Sequence, residues 1–181
     1  MSRPEIPPPV TLVLGVLHTD EAAADEALVA FMGRFGPAAS VLSPRPFDCT
    51  DYYVAEMGTP ITRQFLLFRD PVPADCLPSV KHFTNGLEEQ LQVDGRRRVN
   101  LDPGLLTPFN LVLATGKPRH QRIYLGQGIY GDLTLVYHTG AYQPLPWTYK
   151  DWGSEEVRAF LTRARPRIAK ASQGNPQNKE T

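Results

Sequence analysis

Residues Val10-Thr-Leu-Val-Leu-Gly-Val-Leu17 form a continuous apolar run that includes β-branched side chains. Such a run offers no polar face to water, so it reads as a strand buried on both sides. A helix follows, capped by Asp20, with Leu28, Phe31, Met32 and Phe35 at helical spacing, and Gly36-Pro37 stops it. A second strand is expected over 39–42, before the Pro-rich stretch Ser43-Pro-Arg-Pro46. Residues 48–60 read as an irregular excursion with a short helical turn, and Ile61-Thr-Arg-Gln-Phe-Leu-Leu-Phe68 as another apolar strand. A second long helix from about Ala74 carries Leu77, Val80, Leu87 and Leu91 on one face, and Arg97-Arg-Val-Asn-Leu101 alternates like a half-exposed strand.

That order, β-α-β-β-α-β, predicts an α+β fold with a ferredoxin-like core. In that plan the first and third strands are central, and they are the two most apolar here. Thr107-Pro108 reads as the start of a short helix with Leu105, Phe109, Val112 and Leu113 on one face. A three-stranded antiparallel meander is expected across Ile123–Leu125, Ile129–Tyr137 and Ala141-Tyr142. Ser154-Glu155-Glu156 opens a last helix with Val157, Phe160 and Leu161 inward. With 181 residues, 41% apolar and 21% charged, the chain suits one globular domain over 10–170, between a flexible N-terminus (1–9) and a disordered tail (171–181).

No stretch approaches the apolar length of a membrane span, no signal-peptide core appears, and Cys49 and Cys76 lack metal-site spacing. A cytoplasmic location is the expectation. Residues 1–95 hold 6 Lys/Arg against 13 Asp/Glu, and residues 96–181 hold 13 against 6. This asymmetry suits either an anionic partner or two halves that neutralise each other.

Four groups of residues carry candidate chemistry. Asp48, Asp51 and Glu56 form an oxygen-rich stretch that could hold a hard cation such as Mg²⁺, or simply cap a helical turn above Tyr52 and Tyr53. Asn100 and Asp102 share a face where a strand ends in Asp-Pro-Gly, a site for ligand contact or an ordinary turn. Arg97 with Lys117-Pro-Arg-His120-Gln-Arg122 offers phosphate-binding cations, and Tyr124, Tyr130, Trp147 and Tyr149 offer stacking surfaces or cross-strand packing. His120, with Asp102, is the first candidate for proton transfer, and His18 at the end of the first strand a second; a lone histidine can equally be a surface or structural residue. No GxSxG elbow occurs, and no P-loop: Gly116-Lys117 is followed by Pro118, and position 111 is Leu.

Three stretches carry a family resemblance: Pro46-Phe-Asp-Cys-Thr-Asp-Tyr-Tyr53 with Glu56-Met-Gly58, Arg97-Arg-Val-Asn-Leu-Asp-Pro-Gly104, and Ile123-Tyr-Leu-Gly-Gln-Gly-Ile-Tyr130 running on to Leu145-Pro-Trp-Thr-Tyr149. Together they resemble the bacterial and archaeal family catalogued as domain of unknown function 4416, over about residues 9–165. The resemblance brings no established activity. The residues themselves favour a module binding a nucleotide, a phosphorylated metabolite or RNA. A metal-assisted hydrolase or phosphotransfer enzyme, or a non-catalytic interaction subunit, are the alternatives.

Overall fold

A computed structural model describes residues 3–173, so residues 1–2 and 174–181 of the expected flexible ends lie outside the described residues. The fold is mixed α+β: one eight-stranded antiparallel sheet and four helices. In chain order the elements are β1 (Thr11–His18), α1 (Glu21–Phe35), β2 (Ala38–Pro46), α2 (Val54–Met57), β3 (Thr62–Phe68), α3 (Leu77–Gln90), β4 (Val99–Leu106), β5 (Asn110–Thr115), β6 (Arg122–Gly126), β7 (Ile129–His138), β8 (Ala141–Pro144) and α4 (Glu155–Gln173). The strands lie in the order β2-β3-β1-β4-β5-β7-β6, with β8 also on β7. No described helix is long and apolar enough to cross a membrane.

The apolar run forms β1, and every one of its residues is buried. It lies between β3 and β4, with neighbours on both edges and cover on both faces. On one face Leu12, Leu14 and Val16 pack against α1 and α3 through Ala27, Phe31, Leu77 and Val80. On the other, Val13 joins Leu67, Leu106 and Leu135 beneath Val157, Phe160 and Leu161 of α4. Each fully buried side chain of this size contributes roughly 1.5–3 kcal/mol. Asp20 caps α1 by accepting from the Ala23 amide, and Gly36, at φ 83°, ends it.

Several expectations are corrected. The stretch read as a short helix after Thr107-Pro108 is a strand, β5; Thr107 Oγ1 instead accepts from the amides of Phe109 and Asn110 and tightens the β4–β5 turn. A short apolar run such as Leu111-Val-Leu113 satisfies helical and strand spacing alike, and hairpin pairing with β4 decides it. Asp102-Pro-Gly104 is not a turn that ends a strand: it lies inside β4, which is almost wholly buried rather than half-exposed. β2 runs on to Pro46, tolerating its prolines because it is an edge strand with two register irregularities. Residues 171–173, placed in a disordered tail by the sequence, continue α4.

Candidate functional site

Cross-strand partners share a face, so the register assembles the site. Gly15 is opposite Phe65 of β3 and Asp102 of β4, and Leu17 is opposite Arg63 and Asn100. These residues occupy the face that α4 covers, toward the C-terminal end of β1. Arg63, 2% exposed, donates from Nη1 to Asp102 (2.9 Å), and its Nη2 forms an ion pair with Asp151 (2.9 Å). Its guanidinium lies against the rings of Phe65 (4.6 Å) and Trp152 (5.3 Å). Gly15 permits this: a Cβ there would sit 2.8 Å from Arg63 Nη2 and 2.7 Å from Trp152 Cζ2. Burial pushes the Asp102 carboxyl up, but the charges of Arg63 and Lys81 and the Arg63 hydrogen bond outweigh it, so Asp102 titrates below its ordinary range. Burial, with the Asp102 charge nearby, pushes the Tyr53 hydroxyl far above its usual range.

Pro103 opens the sheet beside this cluster. Leu101 turns its N–H and C=O away from β1, giving the first to Glu88 Oε1 (2.7 Å) and the second to Lys81 Nζ (2.9 Å). By the alternation of an antiparallel strand, position 103 faces the same way, and proline has no N–H to give. Pairing of β4 with β5 accordingly covers only Gly104 to Leu106. Two charged side chains of α3 stand where a strand would otherwise be. Glu88 also meets Arg97 (3.5 Å), and Arg97 reaches Asn100 Oδ1 (2.7 Å) and Glu56 (3.3 Å). Burial holds the Glu88 carboxyl above its usual range, against the pull of Lys81 and Arg97.

The rim is built from loops. Lys117, after β5, donates to the hydroxyl of Tyr52 and lies 5.0 Å from the centre of its ring. Arg122 pairs with buried Asp132 (2.7 Å) and donates to the Lys117 carbonyl (2.8 Å) and the Tyr149 hydroxyl (2.9 Å). Tyr124 packs on Tyr130 across the β6–β7 hairpin, centroids 5.2 Å apart, and Trp147 donates to the Leu133 carbonyl.

The stretches singled out in the sequence are thus tied together: Glu56 to Arg97, Tyr52 to Lys117, Arg122 to Tyr149, and Asp102 through Arg63 to Asp151. His120 is exposed on the β5–β6 connection. Asp48, Asp51 and Glu56 do not meet as a metal centre; among the described residues no three His, Cys, Asp or Glu side chains do. Burial raises both thiols, Cys76 to about 11, away from the thiolate that nucleophilic chemistry requires.

Sequence reasoning missed Arg63, Lys81, Glu88 and Asp151. The first had a signal: an arginine inside an apolar strand is a charge that needs a buried partner.

No curated protein and no solved structure matches the chain significantly. The model of one family, described as "Domain of unknown function (DUF4416)", matches residues 8–167, which include every residue of the site. The match covers most of the chain, and the chain belongs to that family.

Proposed function

We propose that this chain is a binding module for a small phosphorylated ligand of the nucleotide class, seated on the rim formed by Lys117, Tyr52 and Tyr149. The observation that carries the reading is Lys117: exposed, beside an aromatic ring, and without a carboxylate in ion-pair distance among the described residues. A phosphate replaces the tyrosine hydroxyl as its acceptor, and exposed Tyr52 and Tyr149 offer faces for a base. Arg119 and His120 follow on the same connection.

A small ligand is favoured over extended RNA by charge. Arg63, Arg97 and Arg122 each hold carboxylates, so they support the site instead of presenting a phosphate-tracking surface. Strands β1 to β4 with α1 and α3 are read as a ferredoxin-like core, supported by the order β2-β3-β1-β4 and by the burial of β1 and β3. The cytoplasmic setting is supported by the two free cysteines.

Titration calorimetry with ATP, GTP and inorganic phosphate at low and high salt tests this. Salt-sensitive nucleotide binding that Lys117→Ala reduces at least about tenfold is expected, a change of about 1.4 kcal/mol. No heat with any of the three, or undiminished binding by the variant, overturns it.

A further inference from the structure

The edges of the sheet are guarded unequally. β2 carries Pro44 and Pro46 and two register irregularities, and its Arg45 is held by Glu156 of α4. β8 ends at Pro144, and its Tyr142 amide donates to Thr162 of α4 (3.3 Å). These are familiar ways of keeping a sheet edge from pairing with another chain. β6 has a single register irregularity, between Tyr124 and Gly126, and neither proline nor lysine; it lies last in the strand order and exposes Ile123 (71%), Tyr124 (59%) and Leu125 (41%). Beside it, on the α1/α3 face, lies a hollow of about 330 Å³ lined by Val10, Leu77, Pro78, Leu105, Val112 and Leu125.

We infer that β6 pairs with β6 of a second copy of this chain, antiparallel about a two-fold axis at Tyr124, which joins the two sheets into one. The sequence of the strand is self-complementary in that register. Tyr124 meets its own copy, Ile123 stands opposite the partner's Leu125, and Arg122, the strand's one charge, stands opposite the partner's Gly126. No like charges face each other, which would otherwise cost stability. Ile123 is opposite Gly131 of β7, and a Cβ at Gly131 would touch Leu125 and Val112. Ile123 and Leu125 therefore lie on the side of the hollow, and the partner's Ile123 covers its outer wall. A closed two-fold contact of this kind also uses up the edge, which prevents open-ended growth. Five residues a side make a small interface, of the weak class.

Sedimentation velocity of the full chain from about 1 µM to about 0.3 mM tests the pairing. The expected result is a concentration-dependent shift from monomer to dimer. Ile123→Lys and Leu125→Glu, each at an exposed position that leaves the circular dichroism spectrum unchanged, abolish the shift. The double variant Ile123→Lys with Leu125→Glu restores it, because the introduced charges are opposite in sign and face each other across the axis. A wild-type chain that stays monomeric throughout overturns the inference. So does a dimer that survives Ile123→Lys, or a double variant that remains monomeric. This readout is independent of ligand binding, so its failure leaves the nucleotide reading standing.

Discussion

The sheet face opposite α1 and α3 is divided into two halves that run along the same strands yet cohere by different forces. Toward one end, Val13, Leu67, Leu106 and Leu135 meet α4 as an apolar layer. Two to six residues along those strands, Gly15, Arg63, Asn100 and Asp102 form a charged layer closed by loops. The apolar half depends on buried area and tolerates exchanges that keep volume. The charged half depends on ion pairing, because each buried charge is costly once its partner is gone. A strand is therefore not one environment, and the boundary here falls at Gly15, where a missing Cβ makes room for a guanidinium and an indole.

Removing the charge at the centre gives the largest expected break. Arg63→Met leaves Asp102 and Asp151 without their partner and costs about 3–5 kcal/mol in urea unfolding, as much as Leu67→Ala in the apolar half. The triple variant Arg63→Met, Asp102→Asn, Asp151→Asn recovers most of that loss, whereas no polar change rescues Leu67→Ala. Equal losses in the single and triple variants would show that Arg63 acts by packing alone. Gly15→Val comes next: its added methyls displace Arg63 and Trp152 together, at about 1–3 kcal/mol.

Acid sharpens the comparison further. The folded-state pKa of Asp102 is depressed, so its contribution is present above the ordinary carboxylate value of about 4 and is lost as pH falls through the lower folded value. Glu88 has the opposite sign: its folded pKa is raised, so its ionisation opposes folding as pH rises through that value. Asp102→Asn flattens the acid limb of a stability-versus-pH curve, and Glu88→Gln removes the loss at the higher pH. Two superimposable curves would contradict the assignment. The smallest effect is at the rim. Lys117→Ala shifts unfolding by less than about 0.5 kcal/mol, the usual range for a surface change, while nucleotide binding falls.

Much of this was legible in the sequence. β1 and α1 follow from an apolar run and a capped, periodic segment, where local pattern and tertiary placement agree. β5 was misread because six residues are too few for periodicity to separate helix from strand. In Asp102-Pro-Gly104 local turn chemistry pointed one way, and pairing with β1 prevailed. For the site, Arg97, Asn100, Asp102, Lys117 and Tyr149 carried visible signals. Lys81 and Glu88 did not: on a helix they look like an ordinary pair of surface charges, and only their reach to the β4 backbone gives them a place.

That reach has a consequence for exchange with solvent. The amide proton of Leu101 is protected by a carboxylate from another layer instead of a carbonyl of a neighbouring strand. Its hydrogen-exchange rate is therefore tied to the protonation of Glu88, and protection there does not report the strength of the β4–β5 ladder. At Pro103 the backbone lattice stops, and a titratable side chain completes it.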